Sequence, residues 1–93
     1  MARYVTLLRF TDKGAQAIKQ SPVRASAFTK AASKAGVKVE AVYWTSGAFD
    51  GVLILSADQS DKVLRCLSEL VAQGNVRTET MQAFDSVEFS ALV

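Results

Sequence analysis

Four segments of the chain arrange apolar residues as β-strands do. They are residues 4–10, 37–45, 52–57 and 76–84. The first and third are apolar on both faces, which predicts strands that are buried on both sides. The second and fourth alternate more regularly and predict more exposed strands. In the second, the residues expected to share a face are Val37, Val39, Ala41 and Tyr43, opposite Lys38, Glu40, Val42 and Trp44.

Two segments between these strands have helical periodicity, and a short helical turn is expected at 15–19. Ser21-Pro22 marks the start of the first helix, because serine caps orphan N–H groups and proline fits the first helical position. Gly36 is its expected end. The predicted core stripe of this helix is Phe28, Ala31, Ala32 and Ala35.

The second helix is expected to begin at a cap formed by Asp58 or Ser60 and to end at Gly74-Asn75. Its predicted buried stripe is Leu64, Leu67, Leu70 and Val71.

The resulting order, βαββαβ, predicts one ferredoxin-like α+β domain over residues 1–93. Its four-stranded antiparallel sheet would carry two helices on one face. The first and third strands are the most continuously apolar, and this topology places those two at the centre of the sheet.

Two helices cover only one face of such a sheet, although the first and third strands are apolar on both. A homodimer through the free sheet face would cover the second one and form a dimeric α+β barrel. The competing cover is the partly apolar tail from Asp85 to Val93.

Composition limits the classes of partner. Apolar residues make up 49% of the chain and charged residues 22%, which is typical of a folded domain and not of a disordered one. The formal charge is +2 and the 11 basic residues are scattered, so no nucleic-acid partner is expected.

The chain has no histidine and one cysteine, Cys66. We therefore expect no metal site, no cofactor and no nucleophile activated by histidine. Cys66 borders a leucine stripe and is interpreted as a packing residue. No segment has the length of a signal-peptide core or a membrane span, so we expect a cytoplasmic protein without a membrane partner.

A tight turn between the second and third strands places aromatic rings beside a carboxylate, as at the rim of a pocket. Asp50 is either a ligand-orienting carboxylate or, as we favour, a turn residue bonded to nearby backbone N–H groups. Tyr43 and Trp44 alternate across the sheet, so that one ring faces the helices. The candidate ligand-binding residues are Asp50, Phe49, Tyr43, Trp44, Arg9 and Arg77.

Arg9 and Arg77 are charged residues within well-patterned strands. If these strands are neighbours, the two guanidinium groups would line a polar pocket for an anionic or carbonyl-bearing ligand. The alternative, which we favour, is a cross-strand ion pair between an arginine and Glu79.

The chain resembles the GYD-domain family along almost its whole length. The segments that carry the resemblance are residues 4–14, 21–24, 42–50, 74–80 and 83–84. The resemblance implies a ferredoxin-like fold of the dimeric α+β barrel group and no settled activity. Phe49 stands where the family has tyrosine, so no phenolic hydroxyl is available there, whereas Asp50 keeps its carboxylate.

The leading hypothesis is a homodimeric module with a regulatory or accessory role. It would bind a small apolar or carbonyl-bearing ligand between sheet and helices. One alternative is a cofactor-independent oxygenase or isomerase, an analogy that rests on the fold alone. Another is a structural module that assembles with other proteins through its sheet.

Overall fold

The computed structural model describes residues 1–93 as one antiparallel sheet with two long helices packed on one side. The strands are β1 (Ala2–Phe10), β2 (Lys38–Trp44), β3 (Gly51–Ala57) and β4 (Val76–Ala83). The helices are α1 (Asp12–Gln16), a 3₁₀ turn (Ile18–Gln20), α2 (Ser21–Lys34), α3 (Ser60–Ala72) and α4 (Ser86–Leu92). The sheet order is β2-β3-β1-β4, so the predicted ferredoxin-like fold with the first and third strands at its centre is confirmed.

The hydrophobic core lies between the sheet and helices α2 and α3. Leu55 of β3 is completely buried and lies among side chains from both helices, including Phe28 and Val63. Thr6 is the one polar side chain at the centre of this layer, and its hydroxyl hydrogen-bonds that of Thr80 at 2.9 Å. The buried hydroxyl therefore has the partner that a polar core group requires.

Helix α3 buries a different stripe from the predicted one. Its buried residues are Val63, Cys66 and Leu67, whereas Leu64 is 68% exposed. The prediction was right for Leu67 and for Leu70, which packs partly buried against the core, and wrong for Leu64. Burial raises the pKa of the Cys66 thiol, which agrees with its expected packing role.

Helix α2 begins at Ser21 and ends before Gly36, as predicted. Gly36 has φ 83°, a left-handed conformation that glycine adopts without strain. The predicted capping role of Ser21 is wrong, because this residue is already helical and its hydroxyl accepts a hydrogen bond from Trp44. Phe28 and Ala32 are buried, but Ala31 and Ala35 are exposed.

The N-terminus of α3 also lacks the predicted cap. Gln59 is the cap residue and contributes no side-chain hydrogen bond. Asp58 instead accepts a hydrogen bond from Lys62 at 3.0 Å, which lowers the pKa of the Asp58 carboxyl.

Strand β2 contains an irregularity that reverses its predicted faces. The pairing with β3 shifts between Val39 and Ala41, because an extra residue is accommodated there. Val39, Val42 and Trp44 consequently lie on the helix side. Ala41 and Tyr43 lie on the opposite side, so the predicted strict alternation is wrong beyond Glu40.

The C-terminal tail forms α4 and leaves most of its apolar side chains in solvent. Asp85 and Glu88 form a capping box at its start, and Glu88 also pairs with Arg3 at 2.9 Å. Val87 and Leu92 remain 77% and 66% exposed. Within one chain the tail therefore does not shield the free sheet face. No helix has both the length and the apolar character needed to cross a membrane.

Candidate functional site

The side of the sheet turned away from α2 and α3, here called the open face, has an apolar centre. Its two inner strands contribute partly exposed aliphatic side chains, and its outer strands contribute Tyr43 and Met81, which are 60% and 51% exposed. The register places Val5 opposite Ile54 and Leu7 opposite Val52. These four side chains form a continuous apolar patch across β1 and β3.

Charged residues occupy one end of this open face. Arg9 lies 3.8 Å from Glu79, and its guanidinium carbon lies 4.2 Å from the centre of the Phe49 ring. The Arg9 Nε also donates to the carbonyl of Ala48 at 3.1 Å. The geometry thus contains the favoured ion pair with Glu79, and Arg77 lies directly across from Arg9 without an acidic partner.

A cleft on the opposite side of the sheet, here called the helix-side cleft, lies beneath α2. It has a volume of about 60 Å³. Its walls are mostly apolar and are supplied by the ends of β1 and β2, the start of β3 and one side of α2. The principal lining residues are Leu8, Arg24, Phe28, Val42, Trp44 and Asp50.

Asp50 borders this cleft and also extends the pairing of β1 with β3. Its carboxylate Oδ2 accepts a hydrogen bond from the Phe10 N–H at 2.8 Å, and its own N–H donates to the Leu8 carbonyl at 2.8 Å. As in the structural interpretation, the carboxylate accepts from a backbone N–H group, but that group is not nearby in the sequence. The acceptor role is directed to β1 and not to a neighbouring turn residue.

Trp44 joins β2 to the first turn of α2 at the mouth of the cleft. Its indole Nε1 donates to Ser21 Oγ at 2.9 Å, and half of its surface (51%) remains exposed. This bond fixes the ring orientation and leaves one aromatic surface available at the cleft.

Arg24 is a lining residue that sequence reasoning placed off the core stripe. Its Nη1 donates to the Ala17 carbonyl at 2.9 Å, while Nη2 is shielded from solvent and has no hydrogen-bond partner. A signal was present in the sequence. Ser21, Arg24 and Phe28 follow the i, i+3, i+7 spacing of one helix face, which extends the stripe back from Phe28.

The six candidate residues separate onto the two faces of the sheet. Asp50 and Trp44 lie at the helix-side cleft. Tyr43 borders the cleft, but its place opposite Val52 directs its ring to the open face. The other three, Phe49, Arg9 and Arg77, lie at the charged end of the open face. The sequence suggested one pocket rim, whereas the structure distributes its residues over two separate surfaces.

The architecture defines a small ferredoxin-like α+β domain with a small apolar cleft on the helix side and a partly exposed apolar sheet face. Its fold is similar to that of MtbAldR, with a TM-score of 0.67 and 16% identity over 91% of this chain. That match covers 52% of MtbAldR, so the chain spans about half of that protein's length. The crystal structure of a Thermus thermophilus protein has a TM-score of 0.60 and 22% identity, covering 92% of this chain and 96% of that one.

The sequence identifies the family within this class. The profile of the GYD domain matches residues 4–93, and the chain belongs to the GYD-domain family. A relative from Thermus thermophilus is 28% identical over 92 residues, which are 98% of this chain and 97% of that protein. The relative is named glutamine synthetase and cystathionine beta-lyase binding protein.

Proposed function

We propose that this protein is a homodimeric binding module with an accessory or regulatory role and no catalytic role of its own. The observation that carries the proposal is the open face. Its centre is a patch of aliphatic side chains that no part of the same chain covers. A second copy of the chain is the proposed cover.

The dimensions of the chain support a second copy on the open face. Its smallest extent is 17 Å, which corresponds to one sheet and one layer of helices. An apolar sheet face without a third layer favours association. The arrangement of the open face also matches an interface, with aliphatic residues at the centre and charges of both signs, Arg9, Arg77 and Glu79, at its edge.

Helix α4 supports the same proposal from another part of the chain. The longest extent of the molecule is 45 Å and its radius of gyration is 13.6 Å, against about 12 Å expected for a compact chain of this length. Phe89 and Leu92 share one side of α4, Val93 follows its end, and all three side chains are at least half exposed. We propose that α4 is an arm that packs on the second copy.

Tyr4, Tyr43 and Asp50 are the side chains that could serve as acid or base in the oxygenase or isomerase alternative, and their positions favour a binding role instead. Tyr4 is buried in the core, and the Tyr43 ring lies on the open face. Asp50 uses one carboxylate oxygen to hold the Phe10 N–H. These groups do not converge on one point where a substrate would react.

The name of the Thermus relative supports an accessory role. That protein is named for binding two enzymes, and the two sequences match along nearly their entire lengths. By analogy, we propose that the present dimer also works by contacting another protein. The helix-side cleft, with its apolar walls and shielded arginine, is the proposed place for a small ligand that modulates this contact.

Sedimentation velocity over a series of protein concentrations tests the dimer. We expect the wild type to sediment as a dimer and Ile54→Lys, at the centre of the open face, as a monomer. Burying an isoleucine side chain contributes about 1.5–3 kcal/mol, and the symmetric interface counts it twice. The dissociation constant should therefore rise by roughly two to four orders of magnitude.

Val23→Lys is the matched control. Val23 is 65% exposed on α2, away from the open face, so this variant should remain dimeric. A wild type that sediments as a monomer at micromolar and higher concentrations contradicts the proposal. Dimers that survive Ile54→Lys with an unchanged dissociation constant contradict the assignment of the open face.

A further inference from the structure

One cation in the helix-side cleft uses only part of its hydrogen-bonding capacity. The Nη1 atom of Arg24 donates to Ala17, whereas the shielded Nη2 atom has no acceptor. Arg24 belongs to none of the ion pairs of the molecule. Because a shielded guanidinium nitrogen without an acceptor is unfavourable, an acceptor supplied by a ligand would be strongly stabilised there.

The size of the cleft limits that ligand. One water-sized group needs about 10–15 Å³, so a cleft of about 60 Å³ holds roughly four to six such groups. Phe28, Val42 and Leu53 form apolar walls, where ordered waters would find few polar partners. A short molecule with one acceptor group and a compact hydrocarbon part fits these walls.

Asp50 is the acidic side chain among the lining residues, and it does not pair with Arg24. Its Oδ2 atom accepts from the Phe10 N–H at 2.8 Å, and no ion pair joins it to Arg24. The guanidinium charge therefore has no direct counter-ion in the cleft.

We infer that the helix-side cleft binds a small carboxylate. The Arg24 side chain would turn its Nη2 edge into the cleft and donate a hydrogen bond to the carboxylate, while the hydrocarbon part of the ligand packs against Phe28 and Trp44. A carboxylate is favoured over a neutral carbonyl because its negative charge is also attracted to the guanidinium, and because its two planar oxygens suit the guanidinium donors. The apolar walls favour it over inorganic phosphate. This inference deepens the proposed binding function, on which it rests, by naming the ligand class.

Titration of the ¹⁵N-labelled full chain, followed by NMR, tests the inference with three probes. Propionate should give saturable shifts of cleft amides such as Ala25 and Gly51. Propionamide has the same shape without the charge and should bind roughly ten-fold more weakly. Inorganic phosphate should be weaker than propionate, because it gains nothing from the apolar walls.

Variants separate a ligand contact from a general structural effect. Arg24→Gln should weaken propionate binding at least ten-fold, while Arg24→Lys should keep part of the affinity because it keeps the charge. Ala25→Leu retains Arg24 but fills the cleft, and should abolish binding. Ala31→Leu makes the same change on the exposed side of α2 and should leave binding unchanged.

Equal affinities for propionate and propionamide, unchanged binding in Arg24→Gln, or no saturable shift with propionate would each overturn the inference. Sedimentation of the same samples distinguishes this failure from failure of the dimer proposal. A dimer that does not bind propionate would contradict the inferred ligand class and leave the dimer proposal standing. A monomer that binds propionate through Arg24 would contradict the dimer proposal and support the ligand class.

Discussion

Gly14 lies where two segments distant in sequence come into close contact. It is buried in α1, and a Cβ atom added there would overlap the carbonyl oxygen of Asn75 at the start of β4. The same carbonyl accepts the Thr11 N–H at 3.0 Å, and Thr11 Oγ1 donates to the Gly74 carbonyl. The first turn of α1 is therefore held on the connection between α3 and β4.

Replacing this glycine tests the contact. We expect Gly14→Ala to lower the free energy of unfolding by about 1–3 kcal/mol, because the methyl group meets backbone that has no rotamer to change. Urea denaturation measures the difference. Gln16→Ala, at an exposed position of the same helix, should change the free energy by no more than about 0.5 kcal/mol. An equally small effect of Gly14→Ala would show that α1 does not press on Asn75.

Asp50 and Ser21 illustrate a second property of single residues. The residue type of each correctly indicated an acceptor of hydrogen bonds. Its partner came from elsewhere in the chain, because Asp50 accepts from Phe10 and Ser21 from Trp44. A side chain's chemistry is local, whereas the donor it meets depends on which strand or helix lies beside it.

Among the helices, α3 shows why element bounds are easier to predict than buried faces. Its apolar residues include two adjacent pairs, Val63-Leu64 and Cys66-Leu67, so that two overlapping stripes satisfy the helical spacing. Hydrophobicity favoured the leucines. Packing against β3 and β4 selected Val63 and Cys66 instead and left Leu64 in solvent.

Helix α4 carries a prediction at this scale, since its capping box is the main local feature that fixes its start. The Asp85 carboxylate accepts from the Glu88 N–H at 2.8 Å, and Glu88 Oε1 accepts from the Asp85 N–H at 2.9 Å. Loss of such a cap costs about 1 kcal/mol for each helix. If both α4 arms pack in the dimer, Asp85→Ala should raise its dissociation constant by roughly 30-fold.

Sedimentation equilibrium measures this change. Ser86→Ala, next in sequence but outside the capping box, is the control and should have the dissociation constant of the wild type. An Asp85→Ala dimer as tight as the wild type would remove α4 from the proposed interface.

At the scale of the whole molecule, the decisive feature is a sheet with only one covered face. A two-layer chain whose inner strands are apolar on both sides gains from a third layer. If a second copy supplies that layer, association is part of the folding free energy, and stability depends on concentration.

We therefore expect the midpoint of thermal unfolding to rise with protein concentration for the wild type and for Val23→Lys. The midpoint of Ile54→Lys should be lower and independent of concentration, because a monomer gains nothing by mass action. Differential scanning calorimetry across a series of concentrations measures both. A wild-type midpoint that does not move with concentration would contradict association of the native state.

The sequence by itself determined the order of the elements, the central strands and the limits of α2, because hydrophobic periodicity, proline and glycine act through neighbouring residues. It also indicated Asp50 and Trp44 as residues beside a pocket. Only the tertiary structure decided on which face of the sheet or helix each side chain lies. The irregularity in β2 directed Trp44 to the helices and Tyr43 to the open face, and the packing of α2 brought Arg24 into the cleft. These outcomes depend on contacts between distant segments, which local spacing does not encode.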